Sequence, residues 1–298
     1  MTRLRRPYFS LRSQSDRFLH FWYGGGNLSS GYTDKIEVVP ISTFSPFDSG
    51  IDLGWTETYG SEAPGPSRIY HKEGYNNSSD TTDVGRIDIA TYTFTEAAFA
   101  REDGTYFVGM TSTRWLVWMI GGRDTGGTRY DDADHASFAT ETSVNIESQL
   151  FTGITAMGCY ATLEKFIHAG GYTGVTDDSI QGWPHSTNTV ADIADLPSPA
   201  GSKQTASLSD VALYATVLST NERMVLATET TSSVNTPPNS SADDIWGNGT
   251  FGTGGVRAGG DTGSKQDGVY AMSFATETWV DTTGDLTEAK SNGAMCAG

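Results

Sequence analysis

Ser137-Phe138-Ala139-Thr140-Glu141-Thr142 recurs letter for letter as Ser273-Phe274-Ala275-Thr276-Glu277-Thr278, and its core returns as Ala227-Thr228-Glu229-Thr230. Weaker relatives are Ala90-Thr91-Tyr92-Thr93 and His185-Ser186-Thr187-Asn188, and a first copy begins at Ile41-Ser42-Thr43. Taken as one position, these segments lie roughly 40–50 residues apart, the spacing of propeller blades. A second marker keeps step with the first. Apolar strands end in paired glycines at Tyr23-Gly24-Gly25-Gly26, Ile120-Gly121-Gly122, Ala169-Gly170-Gly171 and Ala258-Gly259-Gly260, with Lys72-Glu73-Gly74 as a degenerate copy. Glycine is required where φ is positive or backbones approach closely, and a doublet at a strand end fits both demands. A turn follows the doublet: Asp124-Thr125-Gly126, Thr173-Gly174 and Asp261-Thr262-Gly263.

Each unit reads as four short strands. The third has 105–110, 114–122, 134–140 and 144–149, and the fourth and sixth repeat that plan. The fifth lacks the glycines: its second strand, 211–218, turns through Thr220-Asn221-Glu222 into 223–230. The first unit starts at a second strand, 18–26, while 292–297 reads as a stray first strand. The expectation is an all-β, six-bladed propeller over 18–298, with five or seven blades as alternatives. Its C-terminal strand closes the first blade, which removes two exposed sheet edges.

Composition agrees with short strands and many turns. The chain has 298 residues, 35 of them Gly, and is 37% hydrophobic. Acidic residues outnumber basic ones 36 to 19, giving a net charge of −17, so nucleic acid is not an expected partner. Arg3, Arg5, Arg6 and Arg12 concentrate in a basic arm over 1–17, read as a docking arm for an acidic neighbour. No apolar stretch follows the basic start as secretion needs, and no run is long enough for a membrane span. The expectation is synthesis in a host cytoplasm without a signal peptide or membrane insertion. Two cysteines exclude a disulfide scaffold; Cys159 and Cys296 read as packed thiols at matching places of two units.

Apolar strands ending in Gly-Gly, an aromatic next strand and units of this length resemble kelch-type propellers. The last unit carries the resemblance best: Val256-Arg257-Ala258-Gly259-Gly260, Tyr270-Ala271-Met272-Ser273-Phe274, then Thr283-Gly284-Asp285-Leu286-Thr287 and Lys290. This pattern is similar to propeller repeats of virion proteins of tailed phages, especially those of cyanobacteria, and covers about 18–298. The resemblance implies a virion structural protein of a tail fibre or baseplate, present in multiple copies. It would attach to other virion proteins or recognise a host-surface glycan. A capsid decoration or head-fibre protein is the alternative, and a carbohydrate-binding lectin or an unrecognised propeller enzyme is another.

No familiar catalytic set stands out, and the chain is expected not to be an enzyme. The five histidines form no close metal-type pair, and no phosphate loop, serine-triad or zinc signature occurs. His71 and His168 fall at matching strand positions, which points to structural equivalence. No cofactor is expected. Clustered loop carboxylates, Asp131, Asp132 and Asp134 foremost, with Asp80, Asp83, Asp177 and Asp178, offer oxygen ligands for calcium only without ordered spacing. Binding is placed on the loop face carrying Tyr32, Tyr75, Tyr130, Asp131, Asp132, Tyr172 and Trp183, where aromatic faces with polar neighbours suit sugars or a partner protein.

Overall fold

A computed structural model of the chain describes residues 20–298, apart from 58, 76–80, 102, 114, 147–149, 156, 163–164, 185–188, 201–204, 209–211, 218–219, 236–246, 252–253, 292–293 and 298. The docking arm with Arg3, Arg5, Arg6 and Arg12 lies outside the described residues, as do Asp80 and His185. The described residues form an all-β propeller without helices.

The strands follow one plan. The first group is β1 (His20–Gly24), β2 (Asn27–Leu28), β3 (Gly31–Pro40) and β4 (Phe47–Glu57). Next come β5 (Ser61–Pro64), β6 (Arg68–Lys72), β7 (Val84–Asp88) and β8 (Thr93–Glu96), then β9 (Gly109–Ser112), β10 (Leu116–Ile120), β11 (Ala133–Ser137) and β12 (Ser143–Ile146). They are followed by β13 (Gly158–Ala161), β14 (Lys165–Tyr172), β15 (Thr176–Pro184) and β16 (Ala191–Ala200), and by β17 (Thr205–Leu208), β18 (Ala212–Val217), β19 (Thr220–Val225) and β20 (Thr230–Val234). The chain ends with β21 (Gly247–Phe251), β22 (Gly254–Ala258), β23 (Gly268–Ser273), β24 (Thr278–Asp285) and β25 (Ala294–Ala297). From β5 to β24 each successive four strands make an antiparallel four-stranded sheet, five such blades in all. A further sheet of five strands joins the two ends: β25 pairs β1, with Trp22 opposite Cys296 and Tyr23 opposite Met295. The inner strands run in a closed circle, β25 beside β5, then β9, β13, β17 and β21, which returns to β25.

Apolar residues pack between sheets. Val117 and Met119 of β10 meet Tyr70 and Val84 of the preceding sheet, and Val256 and Val269 meet Tyr23 and Val39 across the junction of the ends. The glycine doublets have a mechanical role there. Gly121 and Gly259 take φ of 58° and 72°, and a Cβ on either would lie 2.5 Å from the Ile154 carbonyl oxygen or 2.6 Å from that of Lys290. The next glycine donates its N–H to the same carbonyl, Gly122 to Ile154 and Gly260 to Lys290, both at 2.8 Å. Each doublet thus clamps the segment that leaves for the following sheet.

The repeated Ala-Thr-Glu-Thr is the turn between the third and fourth strands of a sheet. Its hydroxyls pair across the glutamate: Thr140 with Thr142 at 2.7 Å, Thr228 with Thr230 at 2.8 Å, Thr276 with Thr278 at 2.6 Å. The intervening Glu141, Glu229 and Glu277 stand at φ of 50–54°, a region that L-residues with side chains rarely adopt. Each reaches back to the preceding sheet. Glu141 accepts from Arg68 Nη1 at 2.8 Å and from Arg86 Nη1, Glu229 pairs Lys165 at 2.5 Å, and Glu277 pairs Arg223 at 2.6 Å. Tyr92, at φ 56°, substitutes an aromatic contact, 5.1 Å from Trp22 of β1. Phe44, at φ 50°, packs with Val256, Val269 and Leu286 of the last sheet.

Two expectations need correction. Thr220, Asn221 and Glu222 do not form the turn of the fifth unit. They lie on β19, where Val217 pairs Thr220, and Asn221 and Glu222 are fully buried. Cys159 and Cys296 are both on inner strands but not in matching register. Cys159 faces His168, whereas Cys296 faces Trp22, and the doublet glycines place His168 level with Tyr23.

Candidate functional site

The loops between second and third strands and the segments entering each new sheet share one face. The backbone proves it: Tyr106, ahead of β9, forms a bridge with Arg123, after β10, and Thr155, ahead of β13, forms one with Tyr172. Arg123 bridges in turn to Arg129, across the turn that Asp124 organises by accepting from the Thr128 N–H at 2.7 Å. Residues opposite one another in antiparallel bridges point to the same side. Tyr106, Arg123 and Arg129 therefore form a row.

Rings support both guanidiniums. Arg123 Cζ lies 5.0 Å from the Tyr106 ring centre and 5.2 Å from that of Phe107, and Arg129 Cζ lies 4.8 Å from that of Tyr172. Tyr75 continues the row, 5.4 Å from Tyr106, and Tyr59 stacks on Phe107 at 4.1 Å. Tyr59 and Phe107 hold φ of 63° and 55°. Neither arginine meets a carboxylate among the described residues, and the Nε of each is shielded without a hydrogen-bond partner. In a chain of net charge −17, two guanidiniums held off the carboxylates are a local exception. Phe151 and Val175, 58% and 70% exposed, lie in loops of the same face.

The residues expected from sequence distribute unevenly. Tyr75 and Tyr172 belong to the row. Tyr130 is beside it and donates its hydroxyl to Asp124 Oδ2 at 3.4 Å. Tyr32 is half-buried at the β2–β3 hairpin, apart from that row. Trp183 is on β15, opposite Phe166 of β14, rather than in a loop. Asp131 offers its backbone carbonyl to Leu150 N–H at 2.8 Å. Asp132 is a buried anchor, accepting from Arg101 Nη2 at 2.8 Å and Asn145 Nδ2 at 2.9 Å. Asp134 meets Arg101 Nε at 3.0 Å, so this acidic run serves an internal cation. Among the described residues no grouping of three or more His, Cys, Asp or Glu is arranged to hold a metal. Arg123 and Arg129 went unnoticed in the sequence. The available signal is their placement on both sides of an Asp-Thr-Gly-Gly-Thr turn directly after a glycine doublet.

Beneath this face lies a layer of buried polar groups on the first three strands of the sheets and on the segment after β24. Lys290 pairs Glu37 at 2.7 Å with both side chains fully buried, and its ammonium sits 4.7 Å from the Tyr23 ring centre. His71 Nδ1 lies 3.1 Å from Glu62 Oε1, also fully buried, and His168 faces Gln181 across the ladder. Burial lowers the pKa of His168 to about 4, lowers that of Lys290, and lowers that of Arg257 to about 9. It raises Asp134 to about 6 against the pull of Arg101. Burial also pushes the Cys159 thiol up.

The fold and this face define a β-propeller with an aromatic, cationic patch at one end. No protein-family model matches the chain, and no curated protein is significantly similar to it.

Proposed function

We propose that the chain is a structural protein of a tailed-phage virion, in which the propeller is a rigid attachment module. The five-stranded end sheet counts as a sixth blade in this reading, closed by β25. The resemblance of the repeats to phage virion propellers supplies the setting. The observation that carries the module role is the division of labour between the two ends. One end is occupied by turns whose side chains latch neighbouring sheets, and the other presents Tyr75, Arg123, Arg129 and Tyr172, with Tyr106 buried behind Arg123 and no carboxylate meeting either cation among the described residues. Aromatic residues and arginine are the side chains that dominate binding surfaces. A tail fibre or baseplate position, with several copies per particle, fits a module that touches other virion proteins on one side and the host surface on the other. A head fibre or capsid decoration protein would use the face in the same way. The module acts by binding, not by turnover.

Mass spectrometry of purified particles tests this reading. The chain should be a stoichiometric component in multiple copies, and fractionated heads and tails should assign it to one. Its absence from intact particles would refute the proposal.

A further inference from the structure

We infer that Arg123 and Arg129, carried on the rings of Tyr106 and Tyr172, form a binding site for an acidic saccharide, one carrying carboxylate or sulfate groups. This rests on the docking role given above to the same face and names its ligand. The argument starts from the arginines. Bridged residues stand about 5 Å apart at Cα, so Arg123 and Arg129 present two forks side by side. A guanidinium is matched to carboxylate and sulfate oxygens by its planar donors. Here each is pre-positioned on a ring, Arg123 on Tyr106 and Phe107, Arg129 on Tyr172, and neither is neutralised by an internal carboxylate among the described residues. Contrast Arg68, Arg86, Arg101 and Arg223, all of which meet carboxylates.

The flanking groups decide between a sugar and a peptide. Tyr106 is buried and only supports Arg123, so the accessible rings are the half-buried Tyr75 and Tyr172, with the two cations between them. Aromatic rings take the apolar faces of pyranoses, and the cations between them take the acidic substituents. A peptide would bring backbone N–H and C=O groups needing partners, which an open strand edge supplies. That edge is closed: Tyr106 and Arg123 exchange both backbone hydrogen bonds, and so do Thr155 and Tyr172. Tyr130 N–H is taken by the Gly122 carbonyl, and Arg123 bridges to Arg129. With these backbone groups already paired, the contact falls to the side chains, as a sugar requires. Gly174 lies at the rim, where even a Cβ would approach Arg129 Nη1 to 3.9 Å, so access to this guanidinium is unobstructed by a side chain there.

Calorimetric titration of the full chain tests the inference, with a panel of tetrasaccharides: one alternating glucuronate and N-acetylglucosamine, one sulfated, and one neutral of N-acetylglucosamine. Acidic members should bind at least tenfold more tightly than the neutral one, and weaken as salt is raised. Arg123→Gln and Arg129→Gln should each weaken acidic binding about tenfold or more while leaving the neutral sugar unchanged, as expected for lost charge-assisted hydrogen bonds. Melting curves matched to the parent exclude a folding defect, and Arg129→Lys, which keeps the charge, should recover part of the loss. Carboxylate and sulfate are separated by which tetrasaccharide binds tighter. Equal binding of acidic and neutral sugars, acidic binding untouched by both glutamine variants, or no acidic binding would overturn the inference. So would preference for an acidic peptide over the sugars. In those cases the virion reading still stands or falls on particle composition alone; a chain missing from particles that binds acidic sugars through both arginines would reverse the outcome.

Discussion

Replacing Glu141 by Ala and, separately, by Gly separates the two ingredients of the latch. The Glu141 carboxylate accepts from Arg68 Nη1 at 2.8 Å, from Arg86 Nη1 and from the Tyr70 hydroxyl at 3.2 Å, with 11% of its side chain exposed. Hydrogen bonds to charged groups contribute about 1.5–3 kcal/mol. The arginines are 36% and 28% exposed, so screening pulls the value toward the surface range, and about 2 kcal/mol is expected. Against it stands the left-handed backbone at φ 50°, which costs a side-chain-bearing residue about 1 kcal/mol. Glu141→Ala should therefore lose about 2 kcal/mol, because the strain stays. Glu141→Gly should lose only about 1 kcal/mol, because the strain is relieved. That order is the reverse of an ordinary strand position, where Gly is worse than Ala by roughly 0.5–1 kcal/mol. Urea unfolding, with midpoints compared at equal slope, measures both, and a cycle with Arg86→Ala should give a coupling of about 1 kcal/mol. Burial opposes ionisation of Glu141, but the Arg86 hydrogen bond prevails and its pKa falls. The stabilisation is thus complete above its ordinary value of 4.5 and disappears as pH drops through the lowered one. Glycine as damaging as alanine, or no loss with either, would refute the latch.

Three further outcomes follow from the same geometry. Gly121→Ala should destabilise by about 3 kcal/mol or more, since positive φ and a backbone carbonyl 2.5 Å from the new Cβ combine, which thermal melts would register directly. Deleting 294–298 removes the partner of β1 and a ring contact, and should lower the melting temperature far more than deleting 1–15; equal melting of the two truncations would contradict closure by β25. His168 falls from 6.5 to about 4 through burial, so the folded state resists its protonation. Its contribution is present above 6.5, and about 3 kcal/mol is lost as pH falls from there to about 4. His168→Gln should flatten that slope in urea titrations at pH 7 and pH 4.5, and an unchanged slope would count against a buried neutral imidazole.

Much of the fold was legible because propeller repeats impose the same local demand again and again. Positive φ at Gly121 and Gly259 and the hydroxyl pairs around Glu141, Glu229 and Glu277 all arise from short-range geometry. Spacing alone could therefore carry them. What lay beyond reach depends on how neighbouring sheets meet. That Glu141 reaches Arg86, and that Asp132 serves Arg101, is decided by packing between units. The offset of Cys159 and Cys296 turns on a single residue of register, and the burial of Asn221 and Glu222 on the pairing of Val217 with Thr220. Of the site, Tyr75 and Tyr172 were visible as loop aromatics. Arg123 and Arg129 were not, because two bridges rather than any motif set them side by side.

The latches all face one way along the chain. Tyr92, Glu141, Glu229 and Glu277 each contact a sheet that precedes their own, already synthesised when they leave the ribosome. Each of these four sheets can therefore be locked to the last as translation proceeds, without its turn waiting for downstream sequence. Among the described turns Phe44 reverses the order, because the cluster it packs against includes Val256, Val269 and Leu286, which are made after it. Its hydrophobic contact and the pairing of β25 with β1 both wait for that later sequence, so closing the ring joins an early-made sheet to a late-made one.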